Sequence, residues 1–186
     1  PTDYVFASCG NQTQARIFRN TDASGSGTWT QVHTEASAGR TSLAIAPSNQ
    51  DIIYALSAEL DGAFDDALHA VFRSAASGDA GTWEARVRNS DPNKLNASIM
   101  SFAIGAFATN CGYDTTNFFG AQAWYDNVIA IDPTDPNRVW VGGVDVFRSD
   151  DGGANWGMAA HAYQSRSNPQ YVHPDQHVIV FHPQYN

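Results

Sequence analysis

Three short β-rich runs lead into a proline: Leu43 to Pro47, Val128 to Pro133, and Val178 to Pro183. Counted back from those prolines, Arg40, Asp126 and Gln176 fall at equivalent places, and Thr41, Asn127 and His177 follow them. Polar side chains at one point of every copy, flanked by Tyr125, His173 and Asp175, are a set that can hold a hydrogen-bonding ligand. Asp126 and Asp175 are the carboxylates placed for acid–base work, and nothing in the sequence marks either as acid or nucleophile. Arg40, Tyr125, Asn127, His173, Gln176 and His177 would contribute hydrogen bonds and a ring. The plainer reading is a set of solvated strand ends, with Arg40 meeting Asp126 in a structural ion pair.

Other chemistries fit less well. His173, Asp175, His177 and His182 suggest a metal, but Pro174 and the β-branched run after His177 oppose the helix that would align them. On a strand, His177 and His182 are five apart and point to opposite faces. Asp61, Asp65 and Asp66 form an acidic loop without the spacing of a calcium loop. Gly25-Ser26-Gly27 lacks the lysine of a phosphate loop, and no Gly-x-Ser-x-Gly elbow occurs. No metal and no cofactor is implied.

The elements that carry these residues repeat. A Phe-Arg unit recurs as Ile17-Phe18-Arg19-Asn20 through Trp29, as Val71-Phe72-Arg73-Ser74 through Trp83, and as Val146-Phe147-Arg148-Ser149 through Trp156. It alternates with the proline-ended run, which is followed after a polar turn by Ile52 to Leu56 or by Val139 to Gly142. Tyr4 to Ser8 has the character of that following run. Short β-branched and aromatic segments bounded by Pro, Asn, Asp and Gly read as strands, and no stretch carries a capped 3.6-residue period. Each repeat therefore reads strand, proline turn, strand, loop, Phe-Arg strand, tight turn, Trp strand. Four short antiparallel strands per repeat predict an all-β fold, part of a β-propeller, with a β-sandwich as the rival. The approximate blades are 1–38, 39–88, 124–160 and a start at 174–186, with 89–123 as an inserted loop. Phe107, Tyr113, Phe118 and Phe119 of that loop, with Trp124 at its end, either glue it to the body or stack on sugars.

The composition bounds the partners. A chain of 186 residues with 10 Lys+Arg, 19 Asp+Glu and a net charge of −9 lacks the basic surface that phosphate backbones require, so no nucleic acid is expected. No apolar run approaches a membrane span. Nine Arg to one Lys, the sequons at Asn11 and Asn96, and two distant cysteines lean towards a secreted or cell-surface protein.

The third turn explains its own sequence. In Ser149-Asp150-Asp151-Gly152-Gly153-Ala154-Asn155-Trp156, the side chains of Ser149 and Asp151 can satisfy backbone groups inside the turn. Gly153 can take a positive φ, and Trp156 can cover the hairpin. The spacing Ser-x-Asp-x-Gly-x-x-Trp resembles the Asp-box of the bacterial-neuraminidase-type repeat family, which includes sialidases, xyloglucanases and sortilin-type receptors. The first two copies each hold two extra residues, and Ala76 replaces the Asp of the second, so looser turns are expected there.

That resemblance implies a larger propeller, seven-bladed in type, completed by further blades of this chain or of another. It also implies that the Asp-box residues are structural. The expected role is recognition of a glycan or an extracellular protein at the channel mouth. The alternatives are a glycoside hydrolase, xyloglucanase-like or sialidase-like, whose site is completed by further blades, and an architectural surface-assembly protein. Cys9 and Cys111 are each followed by Gly, which suits exposed turns, and a disulfide between them would tie the insertion to the first blade.

Overall fold

The computed structural model describes residues 3–62, 66–101, 121–162 and 164–185. Eleven strands are seen among them: β1 (Val5–Cys9), β2 (Arg16–Asn20), β3 (Thr30–Thr34), β4 (Ala38–Ile45), β5 (Ile53–Glu59), β6 (Leu68–Ser74), β7 (Glu84–Arg88), β8 (Val128–Ile131), β9 (Val139–Gly142), β10 (Val146–Ser149) and β11 (Gly157–Ala160). Among the described residues a four-residue helix, Lys94–Ala97, interrupts them. The strands form three antiparallel meanders in chain order, β1-β2-β3, β4-β5-β6-β7 and β8-β9-β10-β11. The protein is thus all-β, built of blade-like sheets of three or four strands. No helix among the described residues is long and apolar enough to cross a membrane.

Stacking of the sheets follows from strand alternation. Successive side chains of a strand point to opposite faces. On β5, Tyr54, Leu56 and Ala58 join Val139, Val141, Phe147 and Trp156 of the third sheet. Ala55, between them, joins Ile17 and Val32 of the first sheet. β5 is therefore buried along its whole length, which a strand covered on both faces requires. The outer strands β3 and β7 are partly exposed. A polar link reinforces the first junction, where Arg88 of β7 pairs with Glu35 at 2.8 Å, while buried His69 meets Glu59 at 2.8 Å within the second sheet.

The tight turns differ as their lengths imply. At 149–156, Ser149 Oγ accepts from Gly153 N (3.0 Å) and donates to Asp151 Oδ1 (2.8 Å). Asp151 Oδ1 also accepts from Ala154 N and Asn155 N, at 3.0 and 2.9 Å. Burial pushes the Asp151 carboxyl up, but the bonds from Asn155, Ser149 and Ala154 outweigh it and leave the group below its ordinary range. Gly152 and Gly153 take φ of 74° and 86°. Trp156 Nε1 donates to Gly153 O at 2.9 Å, and the ring is buried. The longer first turn closes on Trp29, which donates to Gly25 O at 3.2 Å and stays 37% exposed.

Two expectations need correction or restriction. Val178–Phe181 forms no strand ladder among the described residues. Cys9 carries a free, exposed thiol, while Cys111 lies outside the described residues, as do Asp65 and the aromatics Phe107, Tyr113, Phe118 and Phe119.

Candidate functional site

The turn before β8 divides its residues between inside and outside. Tyr125 N and Asp126 N both donate to Gln122 O, at 2.7 and 2.8 Å. Ala123 is fully buried and its N donates to Asp66 O at 2.7 Å, which fixes the turn to the loop after β5. With that anchor, Trp124 and Tyr125 point outward, 40% and 45% exposed, while Asp126 and Asn127 are buried. The two exposed rings lie 5.7 Å apart.

The chain after residue 172 comes back to the same place. Gln176 N donates to Gly143 O at 3.0 Å, and a Cβ on Gly142 would lie 2.7 Å from Gln176 Cβ. Glycine at 142 is what lets this segment lie so close to β9. Asp175, with φ of 73°, then turns its carboxylate towards Asp126. Gln122 Nε2 donates to Asp126 Oδ2 and to Asp175 Oδ1, each at 2.5 Å, so these two oxygens are no more than about 5 Å apart. His177 Nε2 stands 3.6 Å from Asp126 Oδ1, and the His177 ring meets Tyr125 edge-on at 4.7 Å.

The electrostatics follow from this packing. Burial, then the adjacent Asp175 charge, pushes the Asp126 carboxyl from its ordinary 3.8 up to about 6; the Gln122 bond and His177 only partly oppose this.

The structure brings together Tyr125, Asp126, Asp175 and His177 of the expected set. Arg40 is beside them but donates to Trp124 O at 3.1 Å, while the imidazole of His177 faces Asp126. Asn127 Nδ2 donates to Arg40 O, and Ser42 Oγ donates to Asn127 O, at 3.1 and 2.7 Å, so Asn127 ties β4 to β8. Gln176 and His173 bond to each other within the segment 173–176, and His173 is exposed. Sequence reasoning missed Gln122, which bridges the two carboxyls. It lies outside every repeat, so no alignment of copies could mark it. Among the described residues no group of three or more His, Cys, Asp or Glu side chains could hold a metal ion.

Fold and site together describe an all-β protein of stacked, blade-like meanders with a polar and aromatic cluster at one end. No protein-family model matches the chain, and no curated protein matches it. Solved structures that resemble it include an ancestral GH74 enzyme (19% identity, 86% of this chain and 18% of that one, TM-score 0.46). A GH74 enzyme of Niastella koreensis (17%, 87% and 22%, 0.45) and a GH74 xyloglucanase from Xanthomonas campestris (16%, 90% and 22%, 0.48) resemble it similarly. The likeness is one of fold alone, and the chain spans about a fifth of each of those proteins.

Proposed function

We propose that this segment contributes part of a glycan-recognising mouth. The observation that carries the reading is the exposed pair Trp124 and Tyr125 beside a cluster of hydrogen-bonding groups, Arg40, Gln122, Asp175 and His177. An aromatic ring offers a flat apolar face to the C–H face of a sugar, and the neighbouring groups can take its hydroxyls. Two adjacent carboxyls in a chain of net charge −9 favour neutral sugars over sialic or uronic acids. Titration with neutral β-glucan and xyloglucan oligosaccharides should change the tryptophan fluorescence, and Trp124→Ala should weaken binding about tenfold, the loss of one stacked ring. No response to any glycan on an array would remove the reading.

A second reading has its own support. Glycoside hydrolysis uses two carboxyl groups, one of them a raised acid, and Asp126, raised by burial, lies beside the carboxylate of Asp175. Reducing-sugar release abolished by Asp126→Asn or Asp175→Asn would replace binding with hydrolysis.

The reading as an Asp-box repeat protein belongs to the same proposal, supported by the Ser149–Asp151–Gly153–Trp156 geometry. So does an exported location, where Cys9 and Cys111 could form a bridge. Titration of the denatured, unreduced protein should then find no reactive thiol, whereas two per chain would count against both bridge and export.

A further inference from the structure

A cleft beside Trp124 has no part in the cluster of Tyr125, Asp126, Asp175 and His177. It encloses about 280 Å³ and is walled by Asn11 and Gln12 after β1, Glu59 at the end of β5, Asp66, and Trp124 itself. Its walls thus come from the first sheet, from the second, and from the turn that leads into the third.

Three contacts hold these walls together. Arg40 N donates to Asn11 O at 3.2 Å and its guanidinium donates to Trp124 O at 3.1 Å, so one residue of β4 ties the first wall to the last. A Cβ on Gly39 would lie 2.8 Å from Leu60 Cδ2 and 3.1 Å from Asn11 O. Glycine at 39 therefore lets the loop after β1 and the end of β5 close on β4. Asp66 serves twice, since its carbonyl accepts from Ala123 N at 2.7 Å and anchors the Trp124 turn, while the residue also lines the cleft.

The lining selects a kind of ligand. Glu59 is nine-tenths buried; its Oε2 meets His69 Nδ1 at 2.8 Å and accepts from Asn89 Nδ2 at 2.7 Å. Both partners take the same oxygen, and Oε1 receives no bond from a described residue. The carboxylate is thus fixed in orientation with an acceptor to spare. Asn11 and Gln12 are exposed, and their amides can donate and accept. Among the described residues no Lys or Arg lines the cleft. Such a surface takes bonds from hydroxyls and repels carboxylates, sulfates and phosphates. The Trp124 ring adds an apolar face. The volume lies at the small end of ligand clefts, which suits one ring and not a chain.

We propose that this cleft is a second sugar subsite, which takes one neutral, hydroxyl-rich ring next to the unit that meets Tyr125 and His177. The proposal rests on the glycan reading of the mouth and extends it. Trp124 lines the cleft and also stands 5.7 Å from Tyr125, so one indole borders both positions. A glycan that fills both is at least two units long, and the hydroxyls of its second unit bond to Glu59 Oε1 and to the amides of Asn11 and Gln12. Linked units bind as one ligand, so filling the second position multiplies the affinity of the first.

An NMR titration of the 186-residue chain with neutral β-glucan oligosaccharides, from the single sugar to the hexamer, tests the proposal. Affinity should climb at least about tenfold between the single sugar and the chains that span both positions. Gln12→Trp fills the cleft from an exposed loop, and the pair Asn11→Ala with Gln12→Ala removes the amides while keeping the Asn11 carbonyl. Both variants should flatten the climb at an unchanged melting temperature, whereas Trp124→Ala should weaken every length. A wild-type affinity indifferent to length, or a climb that survives in both variants, overturns the second subsite and leaves the glycan reading standing. Absence of binding by any neutral glycan removes both. Amino-sugar oligosaccharides bound more tightly than neutral ones of equal length would overturn the neutral class, because the carboxylates would then be serving an ammonium group.

Discussion

Trp156→Ala should destabilise the protein by about 3–5 kcal/mol, the loss typical of truncating a large buried aromatic. For a chain of this length that lowers the melting temperature by about 6–20 °C. Trp156 is 4% exposed, belongs to the core between the second and third sheets, and donates its indole N–H to Gly153 O. Its backbone N also donates to Asn96 Oδ1 at 3.0 Å, so the ring closes the turn over the segment after β7. Trp156→Phe keeps most of the packing and loses the bond to Gly153, for a cost of about 1–2 kcal/mol. The control is Trp29→Ala, at the same place in the first repeat but 37% exposed, which should cost no more than about 1 kcal/mol. Equal losses at both positions would show that the motif, and not burial, sets the energy.

Asp126→Asn should stabilise the protein at pH 8 and give no gain at pH 4. The folded-state pKa of Asp126 is raised to about 6 from an ordinary 3.8, first by burial and then by Asp175. Between those values the folded chain holds a proton that the unfolded chain has released, so stability falls as pH rises through this range. Above pH 6 the full penalty of a buried, repelled charge is present, on the order of 1–3 kcal/mol. Asparagine keeps the shape and cannot ionise, so its melting temperature at pH 8 should rise by about 3–8 °C. Asp175→Asn removes the second cause and should recover part of the gain. Thermal unfolding of the three proteins from pH 4 to pH 8 measures this directly. A constant difference across the range would falsify the assignment of the shift to Asp126.

These two predictions rest on different kinds of information. The 149–156 turn is local: Ser149, Asp151, Gly153 and Trp156 lie within eight residues, so spacing alone encodes which backbone groups each can reach. The strands and their meander order are similarly written in short β-branched runs between Pro, Asn and Gly, because neighbouring antiparallel strands need only a short connection. The carboxyl pair is not local. Asp126 and Asp175 are far apart in sequence and meet only because Gly142 lets the 173–176 segment approach β9 and Gln122 bridges them. Burial of Asp126 beneath exposed Trp124 and Tyr125 depends on how the turn is anchored at Ala123, which composition does not reveal. Arg40 shows the same limit: its position in the repeat is legible, but its bond to Trp124 O, rather than to Asp126, was decided by packing. The sharpest case is Tyr54 and Trp140. They fill one repeat position as similar aromatic residues, yet among the described residues Tyr54 Oη has an acceptor beside the next sheet and Trp140 Nε1 has none. The sequence by itself determined the strands, their order and the closed turn, since those depend on near neighbours. Only the tertiary structure decided which carboxyls lie together and which aromatic finds an acceptor in the next sheet, since both depend on groups that are distant in the chain.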